Sequence, residues 1–161
     1  MYEKTRRKNT MKLAEALIER ADMQKKLASI QTRICQNAKT QEGEEPAEIV
    51  SELIDEFNKA NQHLEALIKR INKTNSNTIF KTGTLIDAIV ERNRLAAQIK
   101  MYRDLYESAS NTQMRFVRLE IVYKRCIDIS SVQKKIDELA KEHRTLDIAL
   151  QEANWHTELL T

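Results

Sequence analysis

Only three of the 161 residues are glycine or proline: Gly43, Pro46 and Gly83. An average chain of this size would hold roughly 19. Tight turns and left-handed backbone positions draw on these two residue types, so the chain has little with which to reverse direction often. The scarcity excludes glycine-cradled nucleotide sites, β-sandwiches built on tight turns, and long flexible linkers. Long helices remain, and nearly half of the residues are Ala, Glu, Lys, Arg or Leu, the composition of helical bundles and coiled coils. With 5% aromatics, the core must be aliphatic.

Hydrophobic periodicity places four helices. The first runs from about Met11 to Ala38, with Leu13, Leu17, Ile18, Ala21, Leu27, Ile30 and Ile34 at helical spacings. A polar connector around Gly43 follows, and Pro46 is expected at the first position of the second helix, where its missing N–H costs nothing. That helix extends to Ile71. Val50, Ile54, Phe57, Asn61, Leu64, Ile68 and Ile71 alternate steps of four and three, the pattern of a coiled-coil seam with Asn61 as its polar member. Leu53, Ala60 and Leu67 widen the stripe. The run Asn72-Lys73-Thr74-Asn75-Ser76-Asn77 reads as turn chemistry, and Thr78–Lys81 as a short strand. Thr84 with Asp87 caps a third helix that ends near Ser108. Phe116–Tyr123 is β-branched and aromatic with period two, which reads as a strand. Ser130 and Gln133 form a capping box for a fourth helix, whose seam is Val132, Ile136, Leu139, His143, Leu146, Leu150 and Ala153. The expected fold is mainly α: an elongated antiparallel four-helix bundle or coiled coil with a small β element between helices 3 and 4.

The formal net charge is +3. Residues 1–10 hold four of the 27 basic side chains and one of the 24 acidic ones, which leaves 23 of each over residues 11–161. A basic excess is the usual compositional reason to expect an anionic partner. Here it belongs to the first ten residues alone. Those residues lack helical periodicity. Arg6-Arg7 can be encoded AGG-AGG, with three codons before Met11, the spacing of a ribosome-binding site. Residues 1–10 are therefore expected to be a leader, disordered or translated from a non-native start, ahead of one helical-bundle domain over 11–161. No apolar run is long enough to cross a membrane. Two cysteines, Cys35 and Cys126, suit free thiols in a reducing cytoplasm.

Chemistry is scarce. Di-iron bundle sites need inward Glu-x-x-His pairs, yet Ala60, Ala140 and Ala153 stand three residues before His63, His143 and His156. No zinc spacing, phosphate loop or nucleophile elbow occurs. No catalytic residue, cofactor, metal site or small-molecule substrate is identified, and a non-enzymatic protein is expected. Arg115, Arg118, Lys124 and Arg125, with Lys69, Arg70, Lys73 and Lys81, suggest a nucleic-acid surface only weakly, because Asp87, Glu120 and Asp128 interrupt it.

Several motifs are ordered along the chain: Leu13-Ala14-Glu15-Ala16-Leu17 with Arg20-Ala21-Asp22, Asn37-Ala38-Lys39, Ile71-Asn72 with Thr74-Asn75, Gly83-Thr84-Leu85 with Asp87-Ala88, and Asn154-Trp155 with Thr157-Glu158-Leu159. Together they resemble the septicolysin-like family of small bacterial helical proteins, a domain of unknown function, over Met11 to about Leu160. The resemblance implies an architecture and a name without a mechanism. Up-and-down helices also allow one polar cluster at a bundle pole, formed by Asn72, Asn75, Asp87, Arg92, Asn154 and Trp155. This is the candidate interaction site.

Wide stripes and polar seam positions favour a self-associating structural or interaction protein, a homo-oligomer without membrane contact. The alternatives are an RNA- or nucleoprotein-binding coiled-coil module and, from the family name, a pore-forming cytolysin.

Overall fold

The structure is a computed structural model that describes residues 10–110 and 124–161. Its elements are α1 (Leu13–Asn37), α2 (Val50–Asn77), β1 (Ile79–Phe80), β2 (Gly83–Thr84), α3 (Leu85–Ser110) and α4 (Ile129–His156). The fold is mainly helical, with four long helices as the periodicity requires. It divides into two compact units. One comprises the chain up to Thr78 together with Ala153–Thr161, and the other is Ile79–Glu152.

In the first unit α1 and α2 run antiparallel. Glu19 meets His63 and Lys26 meets Glu56, so numbers rise on one helix as they fall on the other. Leu27, Ala60 and Leu64 form the centre of this pair, with Met23, Phe57 and Ile68 packed around them. The buried positions of α2 are Leu53, Ala60, Leu64, Leu67, Ile71, Thr74 and Asn75. The stripe is therefore rotated from the expected seam: Asn61 is exposed, and Leu53, Ala60 and Leu67, expected only to widen the stripe, lie at its centre.

Two boundaries of α2 differ from expectation. It starts at Val50 and not at Pro46. The reason lies in Glu48, whose N–H donates to Asn37 Oδ1 at 3.0 Å while its carboxylate takes a two-pronged bond from Arg33, so the chain stays non-helical up to Ile49. The reversal before it is a turn in which Glu44 N–H donates to Gln41 O at 3.0 Å, and Gly43 supplies the φ of 91° that a type II turn needs. At the other end α2 continues through Asn72–Asn77. The polar side chains there bond back to the helix instead of diverting it. Thr74 Oγ1 donates to Arg70 O at 2.8 Å, and Asn77 Nδ2 donates to Lys73 O at 2.7 Å.

In the second unit the short strand expected near Thr78–Lys81 is present, but it pairs with Gly83–Thr84 in a two-stranded antiparallel hairpin. The described β element thus lies between α2 and α3. It closes locally because Lys81 adopts a φ of 51°, which turns the chain back within two residues. The strand expected at Phe116–Tyr123 lies outside the described residues. Thr84 and Asp87 form the expected cap, with Thr84 N–H and Oγ1 donating to Asp87 Oδ2 at 2.8 and 2.7 Å. The cap of α4 is Asp128 and not Ser130: its carboxylate accepts the Ser130 and Ser131 amides, each at 3.1 Å. Leu95, Ile99 and Leu139 hold α3 against α4, with Tyr102, Ala140 and Leu146 beside them. These helices are also antiparallel, since Arg92 pairs with Asp147 while Ile99 packs against Leu139.

Candidate functional site

The chain's C-terminal segment is built into the first unit. Leu13 N–H donates to Thr157 O at 2.9 Å and Leu159 N–H to Met11 O at 2.8 Å, a short antiparallel bridge against the start of α1. Leu160 N–H donates to Thr74 Oγ1 at 3.0 Å, Arg70 Nε to Leu160 O at 3.1 Å, and Lys73 Nζ to Thr161 O at 2.7 Å. The start of α1, the end of α2 and the C-terminus therefore share one pole of this unit.

Four of the six residues of the expected polar cluster belong to this unit. Asn72 is exposed, Asn75 is buried, Asn154 is half-buried, and Trp155 is 54% exposed. The contacts that tie this pole are made by their neighbours Arg70, Lys73 and above all Thr74, which is fully buried. The sequence reading names the asparagines and misses Thr74. A signal for it exists in the seven-residue spacing of the core positions Leu53, Ala60 and Leu67, which Thr74 continues, but its polar surroundings read as turn chemistry. Asp87 and Arg92 belong to the second unit and have partners there: Asp87 caps Thr84, and Arg92 lies 3.5 Å from Asp147. Among the described residues, Arg20 Nε is a buried donor that finds no acceptor.

The second unit carries two features that periodicity does not point out. One is a cleft of ≈ 710 Å³ walled by the hairpin residues Phe80–Thr84, by Asp87, Ala88, Glu91 and Leu95 of α3, and by α4 positions between Glu138 and Leu146. Its floor is apolar, and Asp87, Glu91, Glu138 and Glu142 stand around it. The bonds from the Thr84 hydroxyl and amide hold the Asp87 carboxyl below the usual carboxylate range, and Arg94 does the same for Glu91. Lys81 Nζ sits 5.5 Å over the Phe80 ring. A Cβ at Gly83 would fall 2.8 Å from Asp87 Oδ2, so any larger residue there would push on the carboxylate that caps α3.

The other feature is the outer face of α3. Opposite its packed residues Ala88, Leu95 and Ile99, the helix exposes Ile86 (39%), Val90 (62%) and Met101 (49%), with Ala97 on the same line. A helix with apolar residues on two sides has one side more than the α3–α4 contact uses.

Among the described residues no His, Cys, Asp or Glu group is placed to share a metal ion, and no helix is long and apolar enough to cross a membrane. A family model matches residues 20–159, that of a family of unknown function, DUF6847. The chain belongs to this DUF6847 family. Its fold is also similar to the crystal structure of a functionally unknown conserved protein from Corynebacterium diphtheriae, at 38% identity and a TM-score of 0.87, over 94% of this chain and 100% of that one. No curated protein matches the chain. Membership of DUF6847 corrects the septicolysin-like resemblance, because neither the family nor the structural neighbour points to septicolysin. The motifs that carried it are mostly helix-packing and capping residues, such as Leu13, Leu17 and Asp87, which many unrelated helical chains need at the same spacings. The cytolysin reading rested on that name and falls with it.

Proposed function

We propose that this DUF6847 member is a non-enzymatic helical interaction protein that self-associates through the outer face of α3. The observation that carries this reading is the line Ile86, Val90, Ala97 and Met101, apolar and exposed on a helix whose opposite face is already packed. The spacing of the line suits a second copy of the chain. Val90 and Ala97 lie one turn to either side of the Asn93–Arg94 peptide bond, and Ile86 and Met101 lie two turns to either side. An antiparallel copy of α3 would thus set apolar residues against apolar residues about a two-fold axis, as an isologous contact requires. Arg94 would come near that axis with its charge already compensated, since Glu91 accepts from both Nε and Nη2. The exposed thiols Cys35 and Cys126 support a reducing, cytoplasmic setting.

The test is Val90→Arg in the full chain. A like charge set into each copy of the contact is expected to leave the far-ultraviolet circular-dichroism spectrum unchanged, because Val90 is mostly exposed within one copy, while sedimentation velocity shows dissociation. An unchanged sedimentation coefficient would contradict the reading.

A further inference from the structure

We propose that Arg20 is a carboxylate-binding residue, whose guanidinium takes the monoanionic carboxyl group of an external ligand. Arg20 lies on α1 in the first unit, so this site is separate from the α3 face proposed for self-association.

The position is unusual for an arginine. Leu13, Ala16, Arg20, Met23, Leu27, Ile30 and Ile34 follow one another at steps of three and four, the inward stripe of α1. Met23 and Leu27 of this stripe pack with Ala60 and Leu64 of α2, and Arg20 is half-buried one turn before Met23. Its Nε is sealed from solvent and donates to nothing. The two Nη nitrogens find no oxygen among the described residues either, but they are not sealed, so an anion can reach the fork without opening the core. Other arginines differ. Arg33, Arg70, Arg92, Arg94 and Arg125 each hold an oxygen atom, and Arg103 and Arg144 are exposed.

The chain's own carboxylates near Arg20 on α1 and α2 are engaged. Glu15 accepts the Lys12 amide, Glu19 meets His63, Asp22 meets Lys25 and Glu65 meets Lys69. A water molecule would accept the Nε hydrogen but leave the positive charge uncompensated beside apolar side chains; a carboxylate answers both. The planar Nε–Nη edge presents two parallel N–H groups, which match the two oxygens of a carboxylate. One guanidinium also matches one negative charge. A dianion would bring a second charge with no cation for it, because Lys25 and Lys26, the lysines of α1, already pair with Asp22 and Glu56.

The experiment follows the arginine Nε–H signals of the full chain by NMR while acetate is added at constant ionic strength, with chloride and sulfate as comparison anions. One signal, identified by its loss in Arg20→Met, is expected to shift to saturation with acetate. Sulfate and chloride should act about tenfold more weakly. Acetate should also raise the melting temperature above its value in matched chloride. That rise should vanish in Arg20→Met, whose apolar side chain suits the stripe and keeps the fold. Arg20→Lys keeps the charge but loses the fork, and the acetate needed for the same rise should increase about tenfold. No saturable acetate shift, sulfate binding as tight as acetate, or an acetate response that survives Arg20→Met would overturn the proposal.

Discussion

At the scale of single residues, side chains that a sequence reader assigns to loops hold the ends of helices. Thr74 illustrates this. It lies in a run of asparagine, serine, threonine and lysine that suggests a turn, but its hydroxyl donates to Arg70 O and accepts from Leu160 N–H. The second bond spans 86 positions, and no local pattern could have announced it. Thr74→Val keeps the shape and removes the acceptor. It is expected to cost about 1 kcal/mol in chemical denaturation and to speed amide exchange at Leu160. Glu48 is the second case. Hydrogen bonding from Arg33 lowers its carboxyl pKa, so the folded value lies below the unfolded one. Such a group stabilises the fold above its unfolded pKa, near 4.3, and that contribution is lost as pH falls through the folded value. The melting temperature is therefore expected to drop between about pH 5 and pH 3, and Glu48→Gln should lower it at pH 7 while making it less sensitive to that acid range. A variant as acid-sensitive as the parent would show that the Arg33–Glu48 contact does not stabilise the connector.

At the scale of elements, the count, type and approximate length of the four helices could be read from periodicity, and their faces less well. In α2 the apolar residues are so many that two adjacent stripes fit the four-three rule. Packing decides between them, since α1 places Leu27 against Ala60 and Leu64. Leu64→Ala is accordingly expected to cost roughly 3 kcal/mol, the range for a buried leucine, whereas Asn61→Ala should stay within about 0.5 kcal/mol because Asn61 is exposed. Equal effects in urea unfolding would restore Asn61 to the seam. The hairpin shows a different limit. Its turn uses Lys81 at positive φ where glycine or asparagine is usual, so the signal for a two-residue reversal is missing from the sequence. The cap of α3 was legible, because Thr84 and Asp87 interact over three residues. The cleft was not, because it joins residues of the hairpin, α3 and α4 that are far apart in sequence.

At the scale of the whole molecule, the balanced charge of residues 11–161 removes the compositional case for an anionic partner, and the few glycines and prolines leave the chain to long helices. Gly43 and Gly83 do stand at reversals, while Pro46 lies in the connector ahead of α2. Periodicity could not say which helix keeps an apolar face free once its own core is built. On α3 such a face carries Ile86, Val90 and Met101, and on our proposal a second copy of the chain covers it. Multi-angle light scattering of the full chain at micromolar concentration decides the matter. The expected mass is a multiple of 18.8 kDa, falling to about that of a single chain for Val90→Arg; a parent chain that scatters as a strict 18.8 kDa monomer would contradict the proposal.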